Sequence, residues 1–464
     1  MQQNPATKEN MLGTADIKTL LKQLAIPAIT AQVVNVLYNV VDRMYIGHIP
    51  EVGALALTGV GVCMPLIMLI SAFAGLVSMG GAPRASVYMG KDDIDGAHRI
   101  MGNCFTMLVI LAVVLTVFFY VCSEPLLLAF GASENTIDYA VQYMHIYALG
   151  TIFVQLALGM NAFITAQGFA KISMATVMIG AVCNIILDFV FIIVCHMGVK
   201  GAALATVLSQ AVSAIWVLCF LRGNQTKLKL QKKYFVLQKN VVLPCLLLGM
   251  SPFIMQATES VISVCFNASL YRYGGDIAVG AMTILTSIMQ FSMLPLLGLS
   301  QGAQPITGYN FGAGNAERVR QTFRLLLKSS LCYSLALWAV CMLFPKAVAM
   351  IFNQENQTLL EYTAWAMRYY MPMAGIFGIQ IACQQTFIAI GNAKTSLFLA
   401  IYRKILLLLP LIYVLPLLME QKDRAVFLAE PVADLIAVVT TAMMFAYQFK
   451  KAMQNLEAQK QLPL

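Results

Sequence analysis

Charge is what this sequence has least of. Only 11% of its 464 residues are charged and 59% are hydrophobic, whereas an average soluble domain is about 25% charged. So few polar side chains do not cover a globule in water, and the solvent of the surface is expected to be lipid. Other signals are missing as well. Residues 1–23 are polar and lack the apolar core of a signal peptide, so internal segments are expected to drive insertion. Eleven cysteines stand singly, with no Cys-x-x-Cys pair, and the four histidines form no zinc-like cluster with them. The cysteines read as small apolar packing residues. No Gly-x-x-x-x-Gly-Lys phosphate loop occurs, which argues against ATP drive within the chain. Neither a Gly-x-Ser-x-Gly elbow nor a His-Glu-x-x-His helix occurs, so a membrane-embedded enzyme would lack its catalytic centre.

Long apolar runs are abundant. A helix needs about 20 apolar residues to cross the hydrocarbon. Twelve segments qualify: 20–45, 53–82, 99–122, 139–166, 172–195, 201–221, 241–271, 277–305, 322–344, 363–390, 395–418 and 425–448. They are continuous rather than alternating, which predicts helices and not transmembrane strands. The expected fold class is therefore an all-α, multi-pass integral membrane protein. With both termini in the cytoplasm, twenty-one of the 30 Lys and Arg residues fall on the inner side. They include Lys8, Lys18, Lys22, Arg84, Lys91, Arg318, Lys394 and Lys460. About seven, Arg43, Lys200, Arg272 and Lys346 among them, fall outside, while Arg403 and Lys404 lie within a span. This asymmetry fits the positive-inside rule. It absorbs most of the net charge of +9 and leaves nucleic-acid binding unsupported.

The chain repeats itself. AFITAQGFAKIS at 162–173 matches TFIAIGNAKTS ending at Ser396. Gly168 and Gly391, Lys171 and Lys394, and Ser173 and Ser396 are each 223 residues apart, as are Tyr139 and Tyr362, and Tyr147 and Tyr370. Pro27 and Pro252 open the first span of each half. An N-terminal lobe (1–221), a basic cytoplasmic linker (222–240) and a C-terminal lobe with its tail (241–464) are expected. An even number of spans returns the chain to its starting side, so the two six-helix lobes are parallel and related by a pseudo-two-fold along the membrane normal. Transporters with such repeats hold substrate between the halves and expose it alternately to either side.

Polar residues within the spans are the functional candidates, because an ionisable group at bilayer depth costs at least about 2.5–3.5 kcal/mol. Gln32, Asn35, Asn39 and Asp42 form one stripe on the first helix. Asn184 and Asp188 sit one turn apart in the fifth, as do Glu430 and Asp434 in the twelfth. Gln256, Glu259, Ser263 and Asn267 repeat the first stripe in the seventh. Glu430 follows Lys422, Asp423 and Arg424 closely, so an interfacial position competes with a functional one. Carboxylates with neighbouring amide oxygens suit Na⁺, and burial makes reversible protonation feasible, so Na⁺ and H⁺ both remain open as the coupling ion. Methionines and phenylalanines, 28 and 25 of them, mostly pack, but they also suit a cavity that accepts many shapes. Pro27 lies on the same helix as Asp42 and removes a backbone hydrogen bond, so it is the expected hinge.

The segments Pro27 to Gly47 (with YNVVDRMYIG), GKDDIDGAHRI from Gly90, FITAQGFAKIS, NIILD, GVKGAALAT and QGAQPITGYNFGAGN from Gln301 together resemble the multidrug and toxic compound extrusion (MATE) family over about 15–450. The resemblance implies twelve helices in two lobes and antiport coupled to Na⁺ or H⁺. It also implies export of amphipathic, often cationic, drug-like molecules across the plasma membrane, with no further cofactor. It implies an ion site at Asp42, Asn184, Asp188 and Thr206, with any Na⁺ held by the first three. Asn161 matches an amide beside that pocket. Glu259 matches a seventh-helix glutamate used by some members. Asn39, Gln256 and Gln301 complete the expected cavity or secondary set. Some members pair the seventh-helix glutamate with a tenth-helix aspartate, and here that helix, YYMPMAGIFGIQIACQQTFIAIG, has no acid. The first lobe is therefore the favoured ion site. A lipid-linked precursor flippase is the alternative reading. It would need several cations in its cavity, and Arg368, Arg403 and Lys404 are the few candidates. A two-lobed unit of this kind is expected to act as a monomer.

Overall fold

The structure is a computed structural model that describes residues 11–352 and 356–461. Lys8 and the rest of 1–10 lie outside the described residues. Among the described residues twelve helical spans follow one another. In the first lobe they are α1 (Ile17–Gly47), α2 (Gly53–Gly90), α3 (Ile94–Ala129), α4 (Ile137–Leu149 with Thr151–Ala166), α5 (Ala170–Asp188) and α6 (Gly198–Arg222). The second lobe begins with a helical stretch of 74 residues, Lys239–Gly312. Kept straight, it would run about 110 Å, several times the hydrocarbon thickness. It folds back at Gly275, whose φ of 68° and ψ of −162° suit glycine alone, and so yields α7 (239–274) and α8 (276–312). The remaining spans are α9 (Ala316–Leu343), α10 (Gln357–Tyr370 with Phe377–Ala389), α11 (Ala393–Ile401 continued through Leu418) and α12 (Lys422–Gln461).

Two spans are broken. The segments of α4 meet at 56° beside Gly150, and α10 is interrupted by a short turn at Ala374–Ile376. The helix starts carry side-chain caps where the sequence supplies Asp or Asn. Asp16 accepts from both the amide and the hydroxyl of Thr19 at 2.9 Å, which holds its carboxyl below the usual carboxylate range. The repeat extends to the caps. Asp93 caps α3 and Asn315 caps α9, each preceded by a residue with positive φ, Asp92 (61°) and Gly314 (70°). Gly168 and Gly391 likewise share positive φ, 85° and 79°, at the turns into α5 and α11.

Each lobe has its own apolar core. Phe119, Tyr143, Met144 and Phe163 are buried in the first, and Phe266, Met367 and Phe427 in the second. The lobes meet near the N-terminus of α1. There Leu20, Leu21 and Leu24 pack with Ala303, Ile306 and Leu326. Hydrogen bonds from Asn310 Nδ2 to the Leu12 carbonyl (2.8 Å) and from Arg318 Nη2 to the Ala15 carbonyl (2.8 Å) cross the junction. Higher up, Gln32 Nε2 donates to Gln301 Oε1 at 3.3 Å, and the rings of Phe73 and Phe253 stand 5.0 Å apart. Toward the opposite end α2 and α7 part, leaving a cleft of about 280 Å³ lined by Pro65, Met68, Leu69, Gln256, Ser260 and Val264.

The basic segment between the lobes is packed rather than free. Leu228 is fully buried and Tyr234 nearly so. Asn103 on α3 donates to the Tyr234 carbonyl (3.2 Å) and accepts from the Gln238 amide (2.7 Å).

Candidate ion site and cleft

Asp42, at the far end of the α1 stripe, meets Asp188 at the end of α5. Both are buried, 5% and 0% exposed, and their carboxyl groups lie within interaction range of each other. Asn184, one turn before Asp188, is also buried. Several oxygens in this pocket find no hydrogen-bond donor among the described residues: Asp42 Oδ1, both oxygens of Asp188 and Asn184 Oδ1. A buried carboxylate without a donor or a cation is expensive. Two facing carboxylates are both acceptors, so only a shared proton or a cation can join them. The oxygen set of two carboxylates and an amide fits Na⁺ as well as H⁺.

The surroundings support the pocket. Tyr38 and Tyr143 feel the Asp42 charge, and the Tyr143 hydroxyl lies beside Thr206 on α6. Thr206 itself donates to the Ala202 carbonyl at 3.1 Å, leaving its lone pairs available. Below, toward the closed junction, a small polar cavity of about 40 Å³ is bounded by Asn35, Tyr38, Asn161, Thr176, Ser209 and Gln210. Asn161 donates to the Ser173 carbonyl (3.3 Å), and its own Oδ1 has no partner among the described residues. Asn39 turns back on its helix, donating to the Asn35 carbonyl at 2.6 Å.

The other sequence candidates separate from this pocket. Gln256 lines the cleft between the lobes. Gln301 is bonded to Gln32 across the lobe junction. Pro27 is buried within α1, between the two residues, Ala25 and Ile29, that pack on Gly302 and Gly298 of α8. Glu259 faces neither Asp42 nor Asp188. It receives a hydrogen bond from Lys404 Nζ at 2.9 Å.

Sequence reasoning missed what surrounds that contact. Arg403 and Lys404 are both buried, although neighbours on an α-helix point about 100° apart. The α11 ladder widens to π geometry over Tyr402–Leu408, the segment that carries them. Arg403 Nε donates to Asp434 Oδ1 at 2.7 Å and Nη2 to Glu430 Oε1 at 3.2 Å. Glu430 is therefore buried inside the lobe. A signal was present: two adjacent cations in one apolar run and two acids one turn apart in the next. Another π segment, Phe189–Val194, follows Asp188 in α5. Such widenings are frequent at functional positions.

Comparison with known proteins agrees with this architecture. The MatE family model matches the chain twice, over residues 27–190 and 252–414, one match in each lobe. Multidrug export protein MepA of Staphylococcus haemolyticus is 25% identical over 399 residues, covering 85% of this chain and 86% of that protein. MepA of Staphylococcus saprophyticus is 22% identical over 401 residues, with the same shares covered. Among solved structures, a MATE protein in a bent conformation superposes with a TM-score of 0.90 at 22% identity, covering 98% of this chain and all of that one. An outward-facing MATE transporter of the MOP superfamily superposes at 0.89, also at 22% identity, over 97% and 99% of the two chains. At that identity the superpositions establish the fold, and the family rests on the matched sequence model. The chain is a multi-pass membrane transporter, not an enzyme, and belongs to the MatE family.

Proposed function

We propose that the protein is an antiporter that exports amphipathic, often cationic, drug-like compounds across the plasma membrane in exchange for Na⁺ or H⁺. One observation carries the coupling: Asp42 and Asp188 face each other in a buried pocket where Asp42 Oδ1 and both Asp188 oxygens lack donors among the described residues. With no ion the carboxylates repel, and with Na⁺ or H⁺ between them α1 and α5 draw together. An ion moves a two-state balance only through its different affinity for the two states, so pocket geometry has to change with lobe position. Asn184 and Thr206 supply further oxygens, and Pro27 is the hinge that lets α1 respond. The cleft, with walls of Pro65, Met68, Leu69 and Val264, suits apolar cargo. Both termini are assigned to the cytoplasm by the Lys and Arg asymmetry, which makes the closed junction the inner gate and the cleft the outward opening. The unit works as a monomer.

The flippase reading keeps few cations. Of its three candidates, Arg403 and Lys404 are held by carboxylates, which leaves the exposed Arg368. Purified protein in liposomes, with Na⁺ and pH gradients imposed separately, tests the proposal. Dye efflux driven by one gradient and abolished by Asp188→Asn is the expected result. Transport of an anionic lipid with no response to either gradient would overturn it.

A further inference from the structure

Cys104 on α3 and Cys245 on α7 are both fully buried, and their thiols lie within interaction range of each other. The first belongs to one lobe and the second to the other. They meet beside the crossing of α2 and α7, where a Cβ on Gly80 would strike the Cys245 carbonyl and a Cβ on Gly81 would strike Cys104 Sγ. The repeat shows what packing needs at such a place. Residues 104 and 326 are 222 apart, and 20 and 245 are 225 apart, as Pro27 and Pro252 are. Leu20 and Leu326 share one apolar cluster where α1 meets α9, so the related crossing of the lobes is closed by leucines. Packing alone is met there without sulfur. A cation stands at the thiol pair instead: the Arg84 guanidinium lies beside Cys245, and its buried Nε has no acceptor among the described residues. Thiol oxidation and exchange run through the thiolate, and reactive cysteines stand in electropositive surroundings of this kind. Both sulfurs lie near the inner ends of their helices, five residues after Arg99 and six after Lys239.

We propose that Cys104 and Cys245 form a redox lock on the inner gate: oxidised to a disulfide, they tie α3 to α7, hold the lobes closed at that end and stop transport. The oxidant is a peroxide that reaches the pair from the cytoplasm while the gate is open. The Cys245 thiolate, with Arg84 as its counter-ion, attacks one peroxide oxygen. The O–O bond breaks, a sulfenic acid forms at Cys245, and the departing hydroxide takes up the thiol proton as water. Closure then brings Cys104 to it. The Cys104 sulfur displaces the sulfenic oxygen, the S–O bond breaks, the S–S bond forms, and the oxygen leaves as a second water with the Cys104 proton. In sum two thiols lose two electrons and two protons, and one peroxide becomes two waters. A cytosolic dithiol returns the electrons by exchange, so the lock is transient, as disulfides in reducing compartments are. The inference rests on the alternating transport and the orientation proposed above, and adds a condition under which the cycle stops.

The test treats the full-length protein in liposomes with hydrogen peroxide and then with dithiothreitol. Dye transport under an imposed gradient is read beside the peptide masses of a non-reducing digest. The expected result is a linked Cys104–Cys245 peptide with loss of transport, and recovery of free thiols and transport together on reduction. The oxidised protein also melts at a higher temperature than the reduced one. Cys104→Ala and Cys245→Ala each transport before peroxide, continue after it and show no rise in melting temperature. Cys104→Ser and Cys245→Ser serve where an alanine variant does not fold. A wild type that transports but yields no linked peptide has only a packing pair, and the proposal is overturned. A linked peptide with transport unchanged overturns it too, because the junction then need not open at Cys245. Loss of transport that dithiothreitol does not reverse, or that both alanine variants share, is methionine oxidation or damage elsewhere and counts against the lock. If all of these fail while reduced protein still moves dye, the transport reading stands alone. If the reduced wild type moves no dye under either gradient, the transport reading fails and takes the lock with it, and a linked peptide then marks an oxidation site only.

Discussion

Gly90 and Gly312 hold the two lobes together reciprocally. A Cβ on Gly90 of α2 would collide with the Tyr309 carbonyl of α8, and a Cβ on Gly312 of α8 would collide with the Val87 carbonyl of α2. The pairs are related by the repeat, since 90 and 312, and 87 and 309, are both 222 apart. The α2–α8 crossing therefore lies on the pseudo-two-fold, and each helix offers its glycine to the other's backbone. Gly80 against Cys245, and Gly249 against Leu76, form the same kind of exchange between α2 and α7.

Closure at this end thus depends on absent side chains. Gly90→Ala or Gly312→Ala forces backbone apart from backbone, which no rotamer change relieves, and each costs about 1–3 kcal/mol of the closed form. The expected result is a lower melting temperature and greater labelling, from the closed side, of a cysteine introduced nearby. Gly61→Ala is the control. Its Cβ would meet nothing within 4 Å, and alanine in a helix is favoured over glycine by roughly 0.5–1 kcal/mol, so stability should hold or rise.

A second expectation concerns the packed linker. Asn103 is 1% exposed and bonds the Tyr234 carbonyl and the Gln238 amide. Asn103→Ala leaves these backbone groups without partners, at about 1–3 kcal/mol. Limited proteolysis should then cut within 223–238 at protease levels the wild type survives. Unchanged resistance would mean the segment is held by Leu228 and Tyr234 alone.

The Arg403 pairs supply a third. Removing one partner of a buried ion pair leaves an uncompensated charge and costs about 3–5 kcal/mol. Asp434→Ala should therefore lower the melting temperature sharply. A double replacement, Arg403→Met with Asp434→Leu, removes both charges and should recover much of the loss. Equal destabilisation by the single and double variants would show that packing, not charge, is what Asp434 supplies.

Much of the architecture was legible because lipid imposes it. Each span is a long apolar run, and the 223-residue offset ties Gly168 to Gly391 as turn residues with the same backbone sign. The Asn184–Asp188 step was legible as one face of α5, since spacing along a helix fixes a face, but its meeting with Asp42 was implied only by the family resemblance. What was not legible depends on neighbours in space. The bend at Gly150 hides in an apolar run, since glycine there reads like any small residue. Glu259 and Lys404 are 145 residues apart, and no local spacing says that they touch. The π turn that buries both Arg403 and Lys404 breaks the very periodicity on which face assignment relies.

The last expectation separates the roles of the two acidic centres. Asp188 is fully buried, and neither of its oxygens has a donor among the described residues. Asp188→Asn keeps the shape of the side chain and replaces one acceptor by an amide that can donate to Asp42. The repulsion is gone, and with it the reason for an ion to bind. The variant should fold and insert normally, melt no lower than the wild type, and show no gradient-driven transport. Asp42→Asn should behave alike, and the double variant should be no worse than either single one, because the pair acts as a unit. Glu259→Gln should leave the ion dependence of an uncharged cargo intact, since its carboxylate is bonded to Lys404 and takes no part in the Asp42–Asp188 pocket. Transport measured in liposomes under separate Na⁺ and pH gradients decides among these. Normal transport by Asp188→Asn would remove the first lobe from the coupling mechanism, and loss of ion dependence in Glu259→Gln alone would move the coupling site to the second.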